Sequence, residues 1–209
     1  MIEFKNVSVS FDGRNLFSGL NLFISKGDKI VITGKSGLGK STLLKLILGF
    51  AMPDNGLIYF NGLKIDRHSV WNVRKSTAYV TQNCDIGEGP VISQIRKYFN
   101  YKSNRHQSIE KLNQLMDYFL LSRNLLNKNI EELSGGERQR FGIITALLLN
   151  REVFLLDEIT SALDSDLKKI TADYFLNNPK LTVIAISHDE IWQKNPNVKL
   201  IMPEWSGGR

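Results

Sequence analysis

The sequence predicts an α/β fold: a mostly parallel β-sheet with helices, joined to an antiparallel β subdomain and interrupted by an inserted α-helical subdomain. Three observations predict it. Short apolar runs at 28–33 (DKIVIT), 153–156 (VFLL) and Thr182–Ile186 (TVIAI) have the character of strands, the last two apolar enough for burial on both faces. At the N-terminus, Ile2–Phe11 alternates and ends in Asp12-Gly13, a hairpin turn signal, with 20–25 as its return strand. Between about 83 and 145 the strand patterns give way to helical spacing.

Taken in order, the strand at 28–33 stops at Gly34, and a Gly-rich loop leads into a helix over 41–48. Pro53, Asn55 and Gly56 punctuate the chain before strands at 56–60 and 77–81. Helical spacing then covers 91–99, 109–121 and, after the capping serine Ser134, 136–149. A helix over 166–176 between the last two apolar strands completes a βαβ pattern. The reading is one domain over 1–209: segments 1–82 and 146–209 form the core with its antiparallel subdomain, and about 83–145 forms the helical subdomain. The tail, Ser206-Gly207-Gly208-Arg209, is expected to fray.

Composition narrows the function classes. At 42% hydrophobic and 23% charged, the chain has a globular profile that excludes intrinsic disorder. Its apolar stretches, such as 146–149 and 153–156, fall far short of the ~20 residues that span a bilayer, so any membrane crossing belongs to another chain. The opening residues Met1-Ile2-Glu3-Phe4-Lys5 lack a basic-then-apolar leader, and the single cysteine, Cys84, excludes a disulfide framework; a cytoplasmic setting is expected. The net charge of +6 is scattered, with no run of five like charges, so a nucleic-acid partner is not expected.

Gly34-Lys35-Ser36-Gly37-Leu38-Gly39-Lys40-Ser41 matches G-x-x-x-x-G-K-[ST], the P-loop, in the strand–loop–helix setting the motif requires. Triphosphate oxygens need many donors in a small space. Glycines let backbone N–H groups converge on them, and the helix N-terminus adds partial positive charge. Lys40 is placed to reach the β- and γ-phosphates, Ser41 to ligate Mg²⁺, and Thr42 to lie near the α-phosphate. The motif alone does not separate kinases, GTPases and transport ATPases. At the end of the apolar strand 153–156, Asp157 and Glu158 point to opposite sides and so are suited to different tasks. Asp157 resembles the Walker B aspartate that holds Mg²⁺, and Glu158 is the candidate general base for an attacking water. The plainer reading of the pair is two solvated acids at a strand end.

Leu133-Ser134-Gly135-Gly136-Glu137-Arg138-Gln139-Arg140 is the decisive stretch. It resembles the signature sequence of ABC ATPases, and the chain is identified as a member of that family on it. The same serine and glutamate also have the spacing of a capping box, and both readings stand together. The resemblance implies that Ser134, Gly135, Gly136 and Glu137 contact the γ-phosphate held on a second copy's P-loop, so that a homodimer forms on ATP binding. It implies ATP and Mg²⁺ as ligands, and an integral membrane permease subunit as partner at the inner face of the cell membrane. Gln82, in Tyr79-Val80-Thr81-Gln82, sits where the Q-loop glutamine would, touching Mg²⁺ and water; otherwise it is an exposed glutamine at a strand end. Ser161-Ala162-Leu163-Asp164 resembles the D-loop, or is a helix N-cap. His188, after TVIAI, resembles the switch histidine that bonds the γ-phosphate. Phe11, 23 residues before Gly34, lies about where an aromatic stacks on adenine, or is a core or hairpin residue. Ile159 departs from the family pattern, which often has proline there.

The mechanism this implies is positioning and charge stabilisation: Lys40 and His188 hold phosphates, Ser41, Gln82 and Asp157 the metal, and Glu158 polarises water. Segment 83–95 is the expected docking place for a membrane subunit's helix, with Ile86, Val91 and Ile92 as its apolar contacts or as core. The competing readings are a soluble ABC ATPase acting on DNA or ribosomes, and a P-loop small-molecule kinase, which does not explain LSGGERQR or His188. Among transporters, the chain is similar to small bacterial Fet-type ATPases linked to iron or metal export; 127–133 (NKNIEEL) and 155–164 (LLDEITSALD) carry that likeness.

Overall fold

Two sheets organise the chain. The structure is a computed structural model that describes residues 1–100 and 108–202; the tail expected to fray lies outside the described residues. Strands β1 (Ile2–Phe11) and β2 (Arg14–Ile24) form an antiparallel hairpin closed by Asp12 and Gly13, both at positive φ. This is the backbone that the right-handed twist of a two-residue hairpin requires. The return strand starts six residues before the expected one because a β-bulge hides its alternation. Pairing jumps from Val7↔Leu20 to Val9↔Phe17, with Gly19 at φ 64° inside the irregular stretch. Strand β4 (Asn55–Phe60) joins the other side of β1, and β5 (Leu63–Lys64) completes the order β2-β1-β4-β5.

The second sheet is wholly parallel. Strands β3 (Lys29–Ile32), β6 (Thr77–Val80), β7 (Val153–Asp157), β8 (Thr182–Ile186) and β9 (Val198–Ile201) stand in the order β6-β7-β8-β3-β9. Its central strands are apolar on both faces because each face builds a separate core. Val31, Phe154, Leu156, Val183 and Ala185 pack into one cluster, while Ile30, Ile32, Val153, Leu155, Ile184 and Ile186 pack into the other. Alternation along a strand thus survives, with both sides dry.

The second cluster joins the parallel sheet to the antiparallel one through α1 (Lys40–Ile47), whose Leu43, Leu44 and Ile47 are fully buried between them. Burial of each such side chain stabilises by roughly 1.5–3 kcal/mol relative to exposure. A short helix α2 (Val70–Ser76), not expected from the pattern, leads into β6. The first cluster holds the helices between β6 and β7: α3 (Val91–Asn100), α4 (Ile109–Tyr118) and α5 (Gly135–Leu148), with 3₁₀ turns at Arg123–Asn127 and Ile130–Glu132. The helix expected to reach 121 ends at Tyr118. Leu120 takes φ 53°, and the Leu121 N–H closes back on the Met116 carbonyl at 2.8 Å, a left-handed helix stop made without glycine. Helices α6 (Ser165–Leu176) and α7 (Glu190–Gln193) cover the same face, the latter through the buried Trp192.

Ile86 and Val91 are buried in the first cluster and Ile92 packs against it, so the apolar residues of 83–95 are core rather than a docking face. The segment's exposed residues include the polar Asn83, Asp85, Glu88 and Ser93 beside Gly87 and Pro90. Helix α5 is held against the turn after β6 by close approach at Gly142, where a Cβ would fall 2.8 Å from Cys84 Cβ. Cys84 sits at φ 42°, and burial pushes its thiol up to about 12. Gly142→Val is therefore expected to cost about 1–3 kcal/mol in urea unfolding, from overpacking. Adding Cys84→Gly, which removes the facing Cβ at a backbone position that suits glycine, should restore part of the loss.

Candidate functional site

The site begins where β3 ends. Gly34, Gly37 and Gly39 take φ of 142°, 83° and 78°, so the loop curls through conformations that a Cβ would strain. At Gly39, the residue before α1, a Cβ would also lie 3.1 Å from Leu16 Cβ and 3.2 Å from Phe17 Cζ. The loop is thus pressed directly onto β2. The first turn of α1 has no acidic residue and no side-chain cap, which leaves its N–H donors and partial positive charge for an anion. Lys40 is buried, and its ammonium donates to the carbonyls of Gly34 at 2.7 Å and Lys35 at 2.9 Å, folded over the loop it serves.

A cavity of about 340 Å³ opens over this loop. Exposed Phe11 and half-buried Leu16 form an apolar wall, the 36–42 segment with Ser41 and Thr42 forms the floor, and Glu158 closes the far side. Leu16 carries no motif; only the bulged return strand brings it here. Glu158 follows β7 at φ 51°, a left-handed conformation that costs a non-glycine residue of order 1 kcal/mol. Its N–H is held on the Ile186 carbonyl at 3.0 Å, and its Oε1 lies 3.8 Å from His188 Nε2, close enough to share a ligand but too far for a hydrogen bond. His188 in turn leaves β8 in a braced turn. Ser187 N–H donates to the Ile32 carbonyl at 3.2 Å, and Gln193 donates to Thr33 Oγ1 at 3.2 Å, tying that turn to the strand that feeds the P-loop. Asp189 accepts from Thr160 Oγ1 and from Lys168 Nζ, both at 2.6 Å, and so locks the loop after β7 to the loop after β8. Gln193 belongs to no motif in the sequence, and Asp189, which directly follows the histidine in Ile186-Ser187-His188-Asp189, has no role that the motif assigns.

Asp157, the last residue of β7, accepts from the Tyr79 hydroxyl at 3.4 Å. Gln82 is exposed and leaves the sheet two residues past Val80, which pairs with Leu156; it emerges at the same edge as the carboxylates but does not line the cavity. Ser134, Gly135, Gly136 and Glu137 do not line it either. Ser134 Oγ accepts from Glu137 N–H at 3.2 Å, and Glu137 accepts from Ser134 N–H at 2.9 Å, a full capping box at the start of α5. That hydrogen bond from the Ser134 backbone is the largest of the influences holding the Glu137 carboxyl below its ordinary range. The glycines turn towards 161–164: a Cβ on Gly136 would lie 3.1 Å from the Ala162 carbonyl oxygen. Asp164 caps α6 by accepting from Leu167 N–H at 2.9 Å. One chain therefore presents a phosphate cradle with its carboxylates and histidine, and separately a capped serine–glycine turn.

The two-sheet α/β frame agrees with what known proteins show. The sequence profile of the family described as ABC transporter matches residues 17–161. The chain belongs to that family, as an ATP-binding cassette. Fe(3+) ions import ATP-binding protein FbpC 2 of Pectobacterium atrosepticum is 32% identical over 91% of this chain and 56% of its own length. Energy-coupling factor transporter ATP-binding protein EcfA1 of Oceanobacillus iheyensis is 32% identical over 90% of this chain and 70% of its own. The cassette thus spans little more than half of the first of these relatives. Among solved structures, the dimeric MJ0796, a bacterial ABC transporter cassette, superposes with a TM-score of 0.80 at 25% identity, covering 97% of this chain and 94% of that one.

Within the cassette, one side chain links the serine–glycine helix to the 161–164 loop. Gln139, buried in α5, accepts from Ala162 N–H at 3.1 Å and donates to Ser161 Oγ at 3.4 Å. It lies inside LSGGERQR, in which the spacing alone assigns it no role.

Burial first, then the neighbouring Asp157 charge, pushes the Tyr79 hydroxyl from 10.0 up to about 12. The folded cassette keeps that proton to higher pH than the unfolded chain, so this contribution to stability is complete below pH 10 and is lost as pH rises through about 12. Tyr79→Phe should flatten that part of the alkaline decline, read as urea midpoints across the same window.

Proposed function

We propose that the cassette binds and hydrolyses ATP as one half of a homodimer that sandwiches two nucleotides, and that it powers transport through a separate integral membrane subunit. One observation carries this reading. The cavity holds the P-loop, Glu158 and the Phe11 wall, yet the serine–glycine turn of the same chain lies outside it, beside 161–164. A second copy, turned head to tail, would bring its own Ser134, Gly135 and Gly136 over the open side. The site is then complete only between copies.

In this reading the ring of Phe11 stacks on adenine, and the amides of the 34–41 loop, with Lys40, take the β- and γ-phosphates. Lys40 exchanges the carbonyls of Gly34 and Lys35 for phosphate oxygens, so its ammonium never lacks acceptors. The oxygen donors Ser41, Asp157 and Gln82 suit Mg²⁺, a hard cation that commonly combines one or two carboxylates with substrate phosphates. Bound there, it would neutralise charge on the transferring phosphoryl group. The Glu158 carboxylate accepts a proton from, or orients, the attacking water, and His188 donates to the γ-phosphate from the end of the neighbouring strand. The capping box holds Ser134 with its helix N-terminus facing outward, suited to an anion on another copy.

The 83–145 segment is proposed as the helical subdomain that carries hydrolysis to the membrane subunit, with Gln82 at its start as the coupling point. Exposed Asn83, Asp85 and Glu88 would supply a polar docking face. No described helix is long and apolar enough to cross a membrane, which supports a peripheral place on the inner face of the cell membrane. For cargo, the Fet-type likeness favours export of a metal ion such as iron. That choice would rest with the membrane subunit, since no described group of three or more His, Cys, Asp or Glu could hold a metal in the cassette.

Glu158→Gln should bind Mg·ATP, lose about 10²–10⁴-fold in hydrolysis, and accumulate as a dimer in size-exclusion chromatography with ATP. Near-wild-type turnover would remove Glu158 from the chemistry. Lys40→Ala and Ser134→Ala should each be inactive alone, and mixing them should recover ATPase activity, because a mixed dimer holds one intact composite site. A mixture as inactive as its parts would refute the split site.

A further inference from the structure

The parallel sheet carries a cavity at each end. The P-loop, the carboxylates and His188 all leave the carboxyl ends of β3, β7 and β8. At the opposite ends, about 15 Å away along four- or five-residue strands, lies a cavity of about 540 Å³, larger than the one over the P-loop. The residues just before those strands form its rim.

The rim is cationic. Lys26, Lys111, Arg151 and Lys180 line the cavity against a single carboxylate, Glu152, which Lys26 already engages at 2.8 Å. The floor is apolar and aromatic: Leu147 from α5, Phe154 from β7, Tyr174 from α6 and Leu181. Tyr174 is half-buried and held by ring contacts with Tyr118, Phe119 and Phe175. Desolvation is the cause that lowers the pKa of Arg151, as expected of a guanidinium drawn partly out of water at such a rim.

One wall is pre-formed around a buried cation. Lys29 of β3 is almost fully buried, and its ammonium donates to the carbonyls of Asn178 at 2.8 Å and of Leu181. The same turn is closed by Leu181 N–H on the Asn178 carbonyl at 3.2 Å and by Lys180 N–H on Asn178 Oδ1 at 3.1 Å. The turn that displays Lys180 is thus fixed from behind by a positive charge. A fixed wall, an excess of cations and an apolar floor satisfy three requirements of an anionic organic ligand: little ordering on binding, charge complementarity, and a dry surface for its body.

We propose that this cavity is a second ligand site, distinct from the P-loop, that takes a small organic anion: a phosphate or carboxylate carried on a flat apolar group. The anion sits among Lys111, Arg151 and Lys180, and the apolar group lies over Tyr174 and Leu147. Because α5 supplies both this floor and the serine–glycine turn, a ligand here touches the far end of the helix whose start carries Ser134.

The probe is 1-naphthyl phosphate, titrated calorimetrically into the full chain, with inorganic phosphate and 1-naphthol as controls. The expected result is binding of naphthyl phosphate that weakens at least tenfold in Lys111→Glu/Lys180→Glu, weakens with added salt, and is retained in Lys40→Ala. Both rim lysines are exposed, so the double variant should keep the wild-type unfolding midpoint. Absence of binding, binding unchanged by the double variant, or loss of binding in Lys40→Ala would overturn the proposal. Equal affinity for inorganic phosphate would overturn the assignment of the apolar floor.

Discussion

Asp157 of β7, Ile186 of β8 and Ile32 of β3 stand in one row across three neighbouring parallel strands. Everything at the nucleotide end of the cassette depends on that register. Strands in a sheet lie about 4.8 Å apart, so the chain leaves all three at one level within roughly 10 Å. It continues into the P-loop from one strand, Glu158 from the next and His188 from the third. A slip of one residue would move any of these by about 3.3 Å, more than the proposed catalytic geometry tolerates. Apolar pattern cannot hold this register, since both faces of the strands are buried. It is held at the ends instead, by Glu158 N–H on Ile186, Ser187 N–H on Ile32, and Thr182 N–H on Glu152.

The antiparallel sheet is joined to this edge by contact rather than by pairing. Gly39 lies against Leu16 and Phe17, so the strand carrying the Phe11 hairpin and the P-loop are in direct contact. On the other side, Gln139 joins the serine–glycine helix to the 161–164 loop. The Asp189 bridge to Thr160 and Lys168 connects that loop back to His188. The two halves of the proposed composite site, carried on separate segments of one chain, are thereby linked by an unbroken series of contacts within it.

Much of this was legible in the residues. Short apolar runs, a complete P-loop and LSGGERQR each combine a composition with a spacing that little else explains, and the buried strands fell where VFLL and TVIAI lie. What escaped had physical reasons. The early half of β2 is masked by its bulge at Gly19. Strand β9 is a four-residue edge with Lys199 reaching back to Asp28, and α7 is a single turn, too short to show a period. Ile86 and Val91 looked available for a partner because sequence does not reveal which face of a short segment the core will claim. Gln139, Asp189 and Leu16 act through tertiary contacts between segments more than 20 residues apart, which no local spacing announces.

Glu158 adds a constraint of a different kind. Its backbone lies at φ 51°, where glycine or asparagine would rest with less strain. In the proposed mechanism, folding and function rank the amino acids at this one position in opposite orders: the residue that relaxes the chain best is the one that discards the carboxylate. A lineage released from the need for turnover would be expected to drift towards glycine there, gaining robustness as it lost its engine.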